Sequence, residues 1–137
     1  MKIVVMDGQG GRLGKLLVEG VKARLPQAQV LALGTNSAAT AAMLKAGADA
    51  GATGENPVVW NLPDADGVLG PVGIVVANAI LGEVTPAMAQ AVGSCRAKKV
   101  LVPMNSCGVT VAGVEELPLS GYVARAVEEL ARELEAK

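Results

Sequence analysis

The chain alternates between short apolar runs and amphipathic stretches. "KIVVM", residues 2–6, is nearly unbroken in apolar character, as a strand buried on both faces would be. From Arg12 to Arg24 the pattern changes. Leu13, Leu16, Leu17, Val21 and Leu25 recur on one face, which predicts a helix that Pro26 stops. "AQVLAL" predicts a second strand. "GTNSAATAAMLKAGA" predicts a loop and then a helix, with Asn36 or Ser37 as N-cap and Gly47 at its end. "GATGENPVVWNL" is rich in loop formers, with a short strand around Val58 to Trp60. "DADGVLG" leads into a fourth strand. "GIVVANAILG" predicts a short helix and "TPAMAQAVG" another, capped by Thr85 with Pro86 in its first turn. "KKVLVPM" is a fifth strand and "GVTVAGV" a candidate sixth. From Ser120 a closing helix repeats Val123, Val127, Leu130 and Leu134. No repeat, low-complexity tract or linker interrupts the series.

This alternation predicts an α/β fold: a Rossmann-like three-layer sandwich with a mostly parallel sheet of about five or six strands. The 137 residues suit one domain, 1–137. Sheets of this kind bind ligands outside the carboxyl ends of their strands. Four loops fall there: Asp7 to Gly14, Gly34-Thr35-Asn36-Ser37, Gly70-Pro71-Val72-Gly73 and Asn105-Ser106-Cys107-Gly108. All are small, polar or glycine-rich. The opposite loops, "RLPQA" and "CRAKK", are ordinary connections.

The first of these loops carries the strongest chemical signal. "DGQGGRLG" places Gly8, Gly10, Gly11 and Gly14 between a strand and a helix. It misses the dinucleotide pattern G-x-G-x-x-G by one place but fits G-x-x-G-x-x-G. Glycines let the backbone turn tightly and approach a phosphate, and a helix N-terminus offers free N–H groups. Arg12 and Lys15 add positive charge. A tight turn that binds nothing is the alternative. No P-loop pattern is present.

Composition narrows the chemistry. The chain is 51% hydrophobic and 18% charged, with a net charge of −1 and no basic block, which argues against a nucleic-acid surface. Its apolar runs are shorter than the roughly 20 residues of a membrane span, and no signal peptide is recognisable, so a cytoplasmic location is expected. There is no His, which removes imidazole catalysis and His ligation of metals. With no Phe, one Trp (Trp60) and one Tyr (Tyr122), stacking platforms for bases are scarce. Cys95 and Cys107 form no CxxC motif, cannot alone complete a zinc site, and are expected as reduced, unpaired thiols.

Two resemblances add to this. "GQGGRLGKLLVEGV" resembles the cofactor loop of dihydrodipicolinate reductases, which implies that Gly8, Gly11, Arg12 and Gly14 hold the pyrophosphate of NADH or NADPH. That family's catalytic residues sit in a second domain containing histidines, and these 137 residues carry neither, so that family's activity is not expected of them. The segments "DGQGGRLGK", "LGTNSAATAAMLKAGA", "GATGEN", "GPVGIVVANAILGEVTPAMAQAVGS" and "KKVLVPMN" resemble a small bacterial domain-of-unknown-function family, number 3842. It implies a bacterial origin and supplies no activity.

The ligand is not settled by the residues. An acid at the end of strand two would bind the adenosine ribose of NAD, but no Asp or Glu occurs between Glu19 and Asp49. No Arg suits a 2′-phosphate there either. Thr35, Asn36 and Ser37 remain, as donors to a phosphate or as cap and turn residues. Catalytic candidates are thin. Asp7 is a base, a metal ligand or an acceptor for its own turn. Glu55 reaches the binding edge or is solvated. Asn78 is a buried polar group in need of partners. Cys107 is a thiol needing a helix N-terminus or a cation for activation, or else a small buried residue.

These observations lead to a phosphate-bearing nucleotide or dinucleotide, NAD(P)-like, a mononucleotide or a sugar phosphate. Its expected contacts are Asp7, Gly8, Gln9, Gly10, Gly11, Arg12, Leu13, Gly14, Gly34, Thr35, Asn36, Ser37, Gly70, Pro71, Gly73 and Asn105. A small oxidoreductase is one form of this reading. A non-catalytic ligand sensor or interaction module is the other. The apolar surplus, a mean hydropathy of +0.41, predicts a homo-oligomer joined through "GIVVANAILGEVTPAMAQAV", where Glu83 is the one charge. A charge at Met88 is expected to break it, and a bulky residue at Gly11 to block the ligand without unfolding the chain.

Overall fold

A computed structural model describes residues 1–104 and 107–136. In chain order its elements are β1 (Lys2–Asp7), α1 (Arg12–Arg24), β2 (Gln29–Gly34), α2 (Ser37–Lys45), β3 (Ala50–Thr53), α3 (Glu55–Asn61), β4 (Gly67–Pro71), α4 (Pro86–Ser94), β5 (Lys98–Val102) and α5 (Leu119–Glu135). The five strands form one sheet in the order β3-β2-β1-β4-β5, with every neighbouring pair parallel. Helices cover both faces, so the fold is a three-layer, Rossmann-like α/β sandwich.

β1 is central, and its alternating side chains feed two cores. Ile3 and Val5 pack with Leu13, Leu17 and Val21 of α1, Met43 of α2, and Val123, Val127 and Leu130 of α5. Val4 and Met6 pack on the other face with Val58 of α3 and Met88 and Val92 of α4. This is why residues 3–6 are all apolar: none of the four meets water. The chain passes from β3 at one edge to β4 on the far side of β1, so the strand order reverses between β1 and β4. The crevice that such a reversal opens is where α/β sheets bind ligands.

Three expected elements are different. Val58 to Trp60 belong to helix α3 and not to a strand. Only Val58 of the three is buried, and Pro57 sits in the first turn, where its missing N–H costs little. The third strand is instead Ala50–Thr53, an edge strand of small residues with no bulky apolar signal. "GVTVAGV" forms no strand, and Val111 and Val114 are exposed. "GIVVANAILG" is not a helix: a 3-10 turn over Val72–Val75 gives way to turns in which Asn78, Ile80, Leu81 and Gly82 all have positive φ. Among the described residues no helix is long and apolar enough to cross a membrane.

Candidate binding site at the glycine loop

The end of β1 is tied to its own loop by a carboxylate. Asp7 Oδ1 accepts the Gly8 N–H at 2.8 Å, and Oδ2 accepts the Gly14 N–H at 2.7 Å. Gly14 is the third residue of α1, so Asp7 takes one of the helix's free N-terminal donors, as a capping residue would. The side chain is only 6% exposed. Burial raises its pKa above 3.8; the Gly14 and Gly8 bonds pull it back, and the nearby Glu83 charge pushes it up again. Of the roles open to Asp7 in the sequence, the geometry shows the acceptor for its own turn.

The four loop glycines have separate reasons to be glycine. Gly11, the N-cap of α1, has φ 74°, and a Cβ there would lie 2.9 Å from the Ala39 backbone of α2. A Cβ on Gly14 would meet Met43 Sδ at 2.6 Å and Asp7 Cβ at 2.8 Å. One on Gly8 would meet Thr35 Oγ1 at 2.6 Å and Glu83 Oε1 at 2.8 Å. Gly10 differs. Nothing lies within 4 Å of its Cβ position, and it is exposed. No packing in the described protein demands a glycine there.

A cleft of about 190 Å³ opens beside this loop. Asp7, Gly8, Gln9, Gly10, Gly11, Arg12 and Leu13 line one side, and Pro71, Gly73, Ile80 and Met104 the other. It sits at the carboxyl ends of β1 and β4, where the strand order reverses. The N–H groups of Gly10, Arg12 and Leu13 have no partner among the described residues. Nine of the expected contacts therefore come together. Gly14 lies behind the loop against Met43. Gly34 ends β2, where a Cβ would run into Thr40. Gly70 lies within β4, its Cβ position 2.5 Å from the Met6 carbonyl. Ser37 is exposed at the start of α2, and Asn105 lies outside the described residues.

Thr35 and Asn36 are engaged with Glu83, which the sequence marks only as the one charge of a long apolar stretch. Glu83 Oε1 accepts from the Gln9 N–H at 3.0 Å, the Thr35 hydroxyl at 2.6 Å and Asn36 Nδ2 at 2.9 Å. Burial acts to raise the Glu83 pKa, but the bonds from Thr35, Gln9 and Asn36 together hold it below 4.5. Asn36 also caps α2, its Oδ1 accepting from Ala39 N–H at 2.9 Å. The absence of an acid at the tip of β2 is thus real in sequence and untrue in space. The available signal was the isolation of Glu83, a single charge between Gly82 and Val84 in a long apolar stretch.

The remaining candidates lie elsewhere. Glu55 begins α3 and accepts from the Thr85 hydroxyl at 2.6 Å, at the start of α4. Asn78 is exposed, not buried, and holds a left-handed turn with φ 67°. Cys107 is half-buried beneath Gly73, and its thiol is free, as is that of Cys95.

Residues 2–135 match the family described as "Domain of unknown function (DUF3842)", and the chain belongs to that family. No curated protein matches it, so the likeness of the glycine loop to dihydrodipicolinate reductases stays a likeness of one motif. Among solved structures, the crystal structure of AibC aligns with a TM-score of 0.50 at 18% identity, over 96% of this chain and 39% of that one. The dodecameric FMN-dependent Ubix-like decarboxylase from Escherichia coli O157:H7 aligns with a TM-score of 0.46 at 19% identity, over 96% and 75%. At 18% identity the likeness to AibC is one of fold.

Proposed function

We propose that this DUF3842 domain binds a phosphate-bearing ligand of the nucleotide or sugar-phosphate class, with the phosphate on the glycine loop. The observation that supports this is the set of free N–H groups at Gly10, Arg12 and Leu13, all on residues lining the cleft at the β1–β4 reversal. The exposed Arg12 and Lys15 side chains favour an anion there. The carboxylates do not abolish the site: Asp7 is spent on Gly8 and Gly14, and Glu83 on the β2 side of the loop. A thermal-shift screen with inorganic phosphate, sugar phosphates, mononucleotides, NAD and NADP tests the reading. A ligand at about 100 times its Kd stabilises by roughly 2.7 kcal/mol. A flat response to every phosphate compound would end it.

A second copy of the chain is the partner that we infer. Trp60 on α3 is 77% exposed; its chain neighbour Val59, with Pro63, Ala87 and Ala91, lines the apolar part of an open groove between α3 and α4, which Gln90, Ser94 and Arg96 border. A large apolar side chain next to an apolar groove is an arrangement that two-fold symmetry makes self-complementary. The segment first expected to carry this contact is divided: Ile74, Ala79, Val84 and Val92 are buried, whereas Leu81 is 98% exposed and Ala87 and Ala91 line this same groove.

A further inference from the structure

We propose that Glu83 sets the size class of the ligand, so that the site takes a compact phosphate monoester and excludes a dinucleotide. The proposal rests on the phosphate reading above and narrows it.

In a dinucleotide site the chain of phosphates crosses the glycine loop, and the adenosine ribose lies toward the tip of β2. Here that route is filled. The Cβ position of Gly8 lies 2.8 Å from Glu83 Oε1 and 3.2 Å from Ile80 Cδ1, so residues 80–83 cover the first glycine of the loop. The donors that would greet a ribose or phosphate at β2, from Gln9, Thr35 and Asn36, all converge on one oxygen of Glu83. A carboxylate in that position also repels a second phosphate. The covering segment is internally braced: Asn78 N–H donates to the Val84 carbonyl at 2.7 Å, and Gly82 N–H to the Asn78 carbonyl at 3.1 Å. Glu83 is the side chain that fastens it to the loop. On the β4 side the loop is open, but the volume of about 190 Å³ falls below the roughly 300–1,000 Å³ of sites that engulf a whole drug-sized ligand. A phosphate with one sugar-sized group suits it, and an added adenylate does not.

Ribose 5-phosphate and ADP-ribose make a matched pair, since the second is the first extended by AMP. Amide shift titrations of the wild-type chain and of E83A, E83Q and T35A separate the possibilities, with circular dichroism confirming the fold of each. Wild type is expected to bind ribose 5-phosphate, with shifts at Gly10 and Arg12, and ADP-ribose no better. E83A is expected to bind ADP-ribose roughly tenfold more tightly or better, because three donors are released and a charge removed. T35A, which loosens the same clamp without altering the covering segment, should shift in the same direction, and E83Q by less than E83A. Wild type binding ADP-ribose tenfold more tightly than ribose 5-phosphate would overturn the proposal and leave the phosphate reading standing. So would a loss of ADP-ribose affinity in E83A, which would make Glu83 a reader of the ribose. If no variant binds either compound, the proposal falls, and the thermal-shift screen decides the phosphate reading separately.

Discussion

Asp7 and Gly14 stand seven positions apart, and the carboxylate of the first accepts the N–H of the second at 2.7 Å, closing the glycine loop from inside. Its other oxygen holds Gly8. Asp7→Asn keeps the shape but puts an amide NH2 against one of these two donors. With the side chain buried, the variant should lose about 1–3 kcal/mol of stability. Urea unfolding gives the value, and an unchanged midpoint would show that the loop closes without this acceptor.

The two carboxylates at the loop should titrate in opposite senses. The Gly14 amide reports Asp7 and should show a midpoint above 3.8, whereas the Gln9 amide reports Glu83 and should show one below 4.5. The linked stabilities also oppose each other. Between 3.8 and its raised folded value, Asp7 binds protons better folded than unfolded, so its contribution declines as pH rises through that window. The contribution of Glu83 is fully present above 4.5 and disappears as pH falls through its lowered folded value. In E83Q the Asp7 midpoint should move down, because the neighbouring charge is gone. An Asp7 midpoint that stays put would mean that the two groups do not sense each other.

The loop glycines separate binding from folding. Gly10→Ala faces open space, so its stability should stay within about 0.5 kcal/mol of wild type while phosphate affinity drops. Gly11→Ala must adopt a left-handed backbone against α2 and should cost about 1–2 kcal/mol from the backbone alone. This revises the expectation that a bulky residue at Gly11 spares the fold: that position holds α1 to α2. Chemical denaturation alongside phosphate titration tests both, and a Gly10→Ala protein with unaltered phosphate affinity would remove the cradle.

Self-association should depend on Trp60 and not on Met88. Met88 is 2% exposed and caps the inner side of α4, so a charge there attacks the core. Trp60→Glu should instead give single, folded chains where wild type forms a larger species. Light scattering after size exclusion decides it; wild type running as a single chain at high concentration would refute the contact.

The parts of the fold that were legible in sequence are those where burial and backbone agree. β1, α1, α4 and α5 carry unbroken or 3.6-periodic apolar signals and sit where those signals place them. β3 was invisible because an edge strand of Ala50, Gly51, Ala52 and Thr53 buries little and so writes no pattern. Val58-Val59-Trp60 has the composition of a strand, yet only one of the three faces the core. At the site, the loop and the helix N-terminus were readable because glycine and charge are local signals. Glu83 was not, because its partner Thr35 lies 48 residues away and only the reversal of strand order brings them together.

That reversal also governs how the chain assembles. β1 pairs with β2 through a helix of ordinary length, but its other edge waits for β4, where Ile3 meets Gly67. The core above β1 waits longer still, for Val123, Val127 and Leu130 of the last helix. Contacts of such sequence separation demand loop closure before they contribute stability. The earliest strand is therefore enclosed on that face only when the last helix has docked.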